Sequence, residues 1–432
     1  MRQPRLAPVF PEPHLTDTPG VANASTARPA AMRFIMIAVV IDMISIGIVV
    51  PVLPALVGSF TADPREHALW FGVLAFAYSV ANFIGSPILG ALSDRYGRRR
   101  VMLLGFCGLG FNFFAMALAS ELWALIVVRM FGGVLQANVA VANAYVADIS
   151  PPEERTRRFG QLGAMFGIGF ILGPVIGGLL GATDLRLPFY VAGAFALANL
   201  LYGVFVLPES LPPERRRPVR LASLNPLSSL RRVADLQGVG GLLWVIALTN
   251  LATFVMYTTW VLYTTYRFEW GPRENGWSLF AMGLASLVVQ GFLLAPLLRR
   301  FSARRLAVAG LLSSGVAYAC WGLATAGWVM HAVIAVNLLG WTITASIQSI
   351  VSNAADARTQ GETMGAVSSL ASLMAVLAPL LGTPLMAAVS VLPRDDWRVG
   401  APMYFCALLQ FAAMGVAVRH FRRRHRPRTP PA

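Results

Sequence analysis

Residues 70–119 read WFGVLAFAYSVANFIGSPILGALSDRYGRRRVMLLGFCGLGFNFFAMALA, and this stretch decides the fold. Two apolar runs, near 70–92 and 101–119, flank a short loop where Asp94 is followed by Arg95, Arg98, Arg99 and Arg100. About 20 apolar residues cross a bilayer core as an α-helix, so the stretch reads as two membrane spans joined by a charged turn. Applied outward, the same rule gives six spans near 34–58, 70–92, 101–119, 122–147, 160–182 and 188–207. Six more lie near 239–266, 276–298, 306–326, 328–351, 364–390 and 401–418.

Composition points the same way. Hydrophobic residues make up 56% of the 432 and charged residues 13%, about half the share of about 25% usual in soluble domains. Too few polar side chains remain to cover a soluble surface, which excludes a soluble enzyme and intrinsic disorder alike. The net charge of +15 and the 35 basic residues, all Arg, would suit a nucleic-acid partner if they clustered on one surface. They alternate between loops instead, so no nucleic acid is expected. With both termini on one side, 28 arginines fall on that side, six on the other, and Arg129 inside a span. By the positive-inside rule both termini are cytoplasmic. Cys107, Cys320 and Cys406 lie far apart in apolar segments and suggest no metal spacing or disulfide framework.

The expected organisation is a disordered cytoplasmic arm (1–31), a six-helix bundle (32–207), a Pro-rich cytoplasmic linker (208–238), a second six-helix bundle (239–418) and a basic cytoplasmic tail (419–432). A weak repeat supports the division into halves. Gly160, Pro174 and Gly177 recur 205 residues later as Gly365, Pro379 and Gly382, in the fifth and eleventh spans. Repeated halves with a site between them are the plan of secondary transporters.

Two motifs carry a family resemblance. The loop string Gly90-Ala-Leu-Ser-Asp94-Arg95-Tyr-Gly97-Arg98-Arg99 resembles the signature of the major facilitator superfamily, which implies the twelve-helix, two-bundle fold. Physically, an acid at a helix end followed by several arginines forms a charge-assisted latch, a cytoplasmic gate, around a glycine turn. Asp148 and Arg155 suggest a second cluster there that could bridge to Arg98 or Arg99. In the fifth span Gly160, Gly169, Gly173, Pro174, Gly177 and Gly178 match the pattern of the superfamily's drug/proton antiporters. Gly169, Gly173 and Gly177 are four apart, so they share a helix face that admits a neighbouring backbone, and Pro174 should bend the helix.

The first half is most similar to the tetracycline/proton antiporter group, through Val40–Gly47, Pro51–Pro54, Phe71–Leu74 and the stretch 159–178. Tetracycline-exporting members carry acids in the third and ninth spans, where this chain has Asn112 and Ser314. They carry a His in the eighth, where Ser286 stands four residues before Gln290. These departures set the chain apart from exporters of tetracycline itself.

Asp42 is the one acid well inside a span, and a buried membrane acid is a functional candidate by default. It reads as the proton carrier or as a structural acid bonded to a neighbouring helix. Arg129 matches the fourth-span Arg that the family links to proton transfer. Asp42 lies about 12 Å in from one face and Arg129 about 10 Å from the other, so direct contact is not expected. For the substrate cavity the span interiors offer Gln136, Asn250, Tyr257, Gln290, Asn337 and Trp341. Aromatics and neutral amides at the midplane suit an amphipathic organic molecule.

The expected function is proton-coupled efflux by alternating access, in the plasma (inner) membrane, of a lipophilic or amphipathic small molecule, such as a tetracycline-type or other antibiotic. The proton gradient supplies the energy with no cofactor. The partners are the substrate, protons and the bilayer, and a monomer is expected. The alternatives are a facilitator or uptake symporter on the same fold, or a non-transporting membrane receptor. No paired nucleophile and base, metal cluster or phosphate cradle supports an enzyme.

Overall fold

A computed structural model describes residues 21–136, 138–216, 218, 240–354 and 360–424. The described chain is helical, with no strand among these residues. Twelve crossings result when one bent pair is counted as a single span.

In the first half the spans are Val21–Val49 with Leu53–Gly58, Pro64–Tyr96, Arg98–Leu118, Leu122–Leu135 with Asn138–Ile149, Arg155–Gly181 and Leu187–Val206. In the second half the seventh span is Gly240–Phe268. The eighth comprises Pro272–Val288, a π turn at Val289–Leu293, and Leu294–Arg300. The ninth is Ala303–Leu323, the tenth Gly327–Val336 with Ile343–Ala354, the eleventh Gln360–Val389 and the twelfth Ala401–Arg424.

Several helices outrun the apolar stretches, because polar residues continue a helix once it leaves the bilayer. The first helix begins at Val21, inside the expected 1–31 arm. The alanines at 22, 24, 27, 30 and 31 are the strongest helix formers and account for that extension. The twelfth helix runs to Arg424, past 418. The rest of the arm (1–20), most of the linker (217 and 219–239) and the end of the tail (425–432) lie outside the described residues.

Two spans expected to be continuous are interrupted. The fourth stops at Leu135, where Gln136 closes the helix, and resumes at Asn138. The tenth bends by 53° between Val336 and Gly340. Asn337 holds that break, its Oδ1 accepting from Ser313 Oγ at 2.8 Å, while Gly340 passes close to Ser314 and Asn337.

Within the first half the first span packs on the fifth, the second on the fourth and the third on the sixth. In the second half the seventh packs on the eleventh and twelfth, and the ninth on the twelfth. The halves meet along the second and eleventh spans and along the fifth and eighth. The repeat is visible in this packing: Gly177 meets Ile48 of the first span, and Gly382 meets Val255 and Thr259 of the seventh.

The two ends of the bundle pair differ. At the arginine-poor end the halves are closed, with Gly178 against Pro272 and Gly276, and Gly72 against Thr383. Trp260 and Trp321 cross edge to face at 4.9 Å beneath, and Trp260 donates to Ser278 Oγ at 2.9 Å. At the arginine-rich end Gly160, Gly163, Gly167, Gly291 and Gly365 face open space.

Candidate functional site

Two groups of residues lie between the closed and open ends, one charged and one neutral. The charged group belongs to the first half. Asp42 is buried at 4% exposure in the first span. The Arg129 guanidinium stacks over the Tyr78 ring at 4.1 Å, a cation–π contact of the kind that strengthens when both partners leave water. The Tyr78 hydroxyl donates to Gln136 Oε1 at the break in the fourth span. Tyr78 also lies within electrostatic reach of both Arg129 and Asp42. Tyr78 therefore touches one membrane charge and lies near the other, a residue that neither charge nor motif reading singled out.

The neutral group is a pair of joined chambers facing the second half. The larger, about 550 Å³, runs from Gly160, Gly163 and Gly167 of the fifth span to Ser286, Gln290 and Gly291 of the eighth, with Tyr257 and Trp341 at its inner end. Phe170 crosses Tyr257 edge to face at 6.4 Å and so ties the two halves across it. The smaller, about 210 Å³, lies among Thr249, Ser314, Tyr318, Asn337, Trp341 and Gln410. Tyr257, Ser286, Gln290 and Trp341 line both. Gln290 stands in the π turn, where the local unwinding of the eighth span sets it apart from its helix, and its amide donates to Ser286 Oγ at 2.6 Å.

The six sequence-derived cavity residues are thus distributed. Tyr257, Gln290, Asn337 and Trp341 converge on the chambers. Gln136 belongs instead to the Tyr78–Arg129 group. Asn250 donates to the Ile246 carbonyl of its own helix at 2.9 Å and lines neither chamber. Of the three departures from the tetracycline exporters, Ser286 and Ser314 face the chambers, whereas Asn112 is wedged against Gly132 of the fourth span. Thr249, Tyr318 and Gln410 were not read from the sequence, because single hydroxyls and amides in apolar helices carry no spacing signal.

The charged loop forms a latch within the first half. Gly97 adopts φ +100°, a conformation that side chains rarely take, and reverses the chain between the second and third spans. Arg98 is then buried, with Nη1 at 2.6 Å from Asp94 Oδ1 and from Ser93 Oγ, and Nε at 3.0 Å from Asp148 Oδ2. Arg95 stacks on Tyr96 at 5.2 Å, and Arg155 stands exposed at the start of the fifth helix. Gly90 has open space around it, so the turn depends on Gly97.

Glu209, in the first residues of the linker, adds an unforeseen member. Its Oε1 accepts from the Arg98 backbone at 2.8 Å and from Arg99 at 3.4 Å, capping the third helix. An anion there complements the positive end of the helix dipole. Its position just after Pro208 at the end of the sixth span was the available signal.

In the fifth span Gly169, Gly173 and Gly177 share the face that meets the first span, as their spacing requires. A Cβ at Gly173 would stand 2.6 Å from Gly47 Cα, so the two backbones are in direct contact. Gly178 looks the other way, to the eighth span, and Pro174 lies within the helix between them.

The described sequence matches the family model "Major Facilitator Superfamily" over residues 35–379 and 247–432. The class C tetracycline resistance protein of Escherichia coli is 36% identical over 379 residues, covering 88% of this chain and 95% of that protein. The class D tetracycline resistance protein of Salmonella ordonez is 32% identical over 383 residues, covering 87% and 94%. Among solved structures, the human organic anion transporter MFSD10 superposes with a TM-score of 0.66 at 24% identity, covering 90% of this chain and 99% of that one.

Proposed function

The chain belongs to the major facilitator superfamily and is a multi-pass membrane transporter rather than an enzyme, and from that premise we propose that it exports an amphipathic small molecule in exchange for protons. The observation that carries this reading is the half-buried pairing of Arg129 with Tyr78 inside the first half, within electrostatic reach of the buried Asp42. A carboxylate in an apolar setting accepts a proton more readily than in water, and a nearby cation returns it to the ionised state. Asp42 is the proton carrier in this scheme, and Arg129 displaces its proton when the phenol link tightens.

Alternating access follows from the two ends. With both termini cytoplasmic, the open arginine-rich end faces the cytoplasm and admits substrate to the chambers. The closed end separates when Gly178 leaves Gly276, and the latch around Arg98 carries the second and third spans as one body while the open end shuts. The proton gradient is the energy source, in the inner membrane, for a transporter acting as a monomer. The identity to tetracycline resistance proteins supports an antibiotic-like substrate. Ser286 and Ser314 support one other than tetracycline.

The test is efflux of a drug and dye panel, tetracycline included, from cells expressing the wild type or Asp42→Asn at equal membrane levels. Efflux by the wild type that collapses with an uncoupler and is absent in the variant is expected. Efflux insensitive to the uncoupler would favour a facilitator, and gradient-driven accumulation would favour uptake.

A further inference from the structure

The smaller, inner chamber is lined by neutral hydrogen-bonding side chains, among them Thr249, Ser314, Asn337, Trp341 and Gln410. The indole N–H can only donate, the amide oxygen can only accept, and the hydroxyl can do either. Such a lining presents donors and acceptors without formal charge, and it suits a ligand group that is itself a neutral donor or acceptor. The ligand group that fits there is a neutral amide, carbonyl or hydroxyl, at the end of a chamber whose other wall is Tyr318 and Asn337.

Among the described residues, no Asp, Glu, Arg or His lines either chamber. The membrane charges Asp42 and Arg129 belong to the first and fourth spans of the opposite half. An ion placed in the chambers would leave water with no counter-charge, which is far costlier than placing a neutral amide or hydroxyl there. The outer chamber is wide and largely apolar, with Phe170, Leu279 and Met282 on its walls.

Resting on the export reading above, we infer that the substrate is a molecule of no net charge, with a hydrogen-bonding end in the inner chamber among Ser314, Asn337 and Trp341 and an apolar body between the fifth and eighth spans. Proton and substrate then occupy different halves and do not compete for one carboxylate. One proton entering against one neutral molecule leaving moves one positive charge inward, so the exchange responds to membrane potential as well as to the pH difference.

The experiment measures equilibrium binding to the full-length protein in nanodiscs, without any gradient. The probes are chloramphenicol and Nile red as uncharged compounds, tetraphenylphosphonium and ethidium as permanent cations, and fluorescein as an anion. An uncharged probe should bind about tenfold or more tighter than any charged one. Ser314→Asp, which sets a carboxylate in the wall, should raise tetraphenylphosphonium affinity by about tenfold or more, and Ser314→Asn should not. Ser286→Asp at the half-exposed outer wall gives the same readout if the Ser314 variants do not fold.

The inference is overturned if a permanently charged probe binds tightest, or if neither uncharged probe binds the wild type. Neutral binding without any proton-driven flux in proteoliposomes would sink the antiport reading and leave this one standing. Proton-driven flux of tetraphenylphosphonium would do the reverse.

Discussion

Gly276→Ala should unlock the closed end. The new Cβ would stand 2.5 Å from the Pro174 carbonyl oxygen and 3.0 Å from Gly178 Cα, where ordinary contact begins at 3.4 Å. Both obstacles are backbone of the fifth span, so no rotamer change relieves them, and the fifth and eighth spans must part by most of an ångström. Overpacking of this kind costs about 1–3 kcal/mol. The clash exists only while this end is closed, so the full amount enters the equilibrium between the two access states. The ratio of states should therefore move by about 5- to 150-fold toward opening at the arginine-poor end. Spin labels at Ala62→Cys and Val391→Cys, in a background lacking Cys107, Cys320 and Cys406, report the separation by electron–electron resonance. A longer distance population should grow in the variant. Gly173→Ala is the control: it strikes Gly47 within the same half and should lower thermal stability without shifting the distances. Unchanged distances in Gly276→Ala, or equal shifts in both variants, would refute the reasoning.

Other outcomes follow from the same contacts. Arg98→Ala leaves Asp94 and Asp148 facing each other without their shared cation. Both acids are partly solvated, so a loss of about 1–3 kcal/mol is expected in thermal unfolding in detergent. Glu209→Gln should keep the shape of the cap but lose its charge at the third helix, a drop of about 0.3–1 kcal/mol by the same assay that salt diminishes. Tyr78→Ala should impair gradient-driven efflux more than Tyr78→Phe, because only the first removes the ring beneath Arg129. At the arginine-poor end, Arg398 beside Asp396 holds that carboxyl below its ordinary 3.8. Its tie is therefore complete above pH 3.8 and is lost as the pH falls through the lower folded value. Asp396→Asn should accordingly leave the unfolding temperature at pH 7 little changed, and should abolish any acid-dependent decrease specific to this loop.

Much of the architecture is legible in the chain because membranes impose a simple rule. Every backbone polar group in hydrocarbon must be satisfied, so long apolar runs become helices, and arginine placement separates the two ends. The fifth-span face was legible for a similar reason, since glycines four apart line one side of a helix. The breaks in the fourth and tenth spans were not. Gln136 and Asn337 look like ordinary polar residues in apolar runs, and their effect depends on partners from other spans, Tyr78 and Ser313. The same holds for the inner chamber. Thr249, Tyr318 and Gln410 come from the seventh, ninth and twelfth spans, and only their packing brings them to one cavity. Tyr78 was hidden for the opposite reason, since a lone tyrosine in a span suggests packing until Arg129 is found on its ring.

The most direct test of the central claim is proton movement driven by substrate alone. Purified protein in proteoliposomes holding pyranine would be given an outward gradient of whichever panel compound the cells export, with no initial pH difference and potassium with valinomycin to clamp the voltage. The wild type should move protons inward, opposite to the substrate, so that the enclosed pyranine reports acidification whichever way the protein is inserted, and Asp42→Asn should move substrate downhill with no proton signal. A proton signal that survives in Asp42→Asn, or wild-type substrate flux without one, would contradict the account.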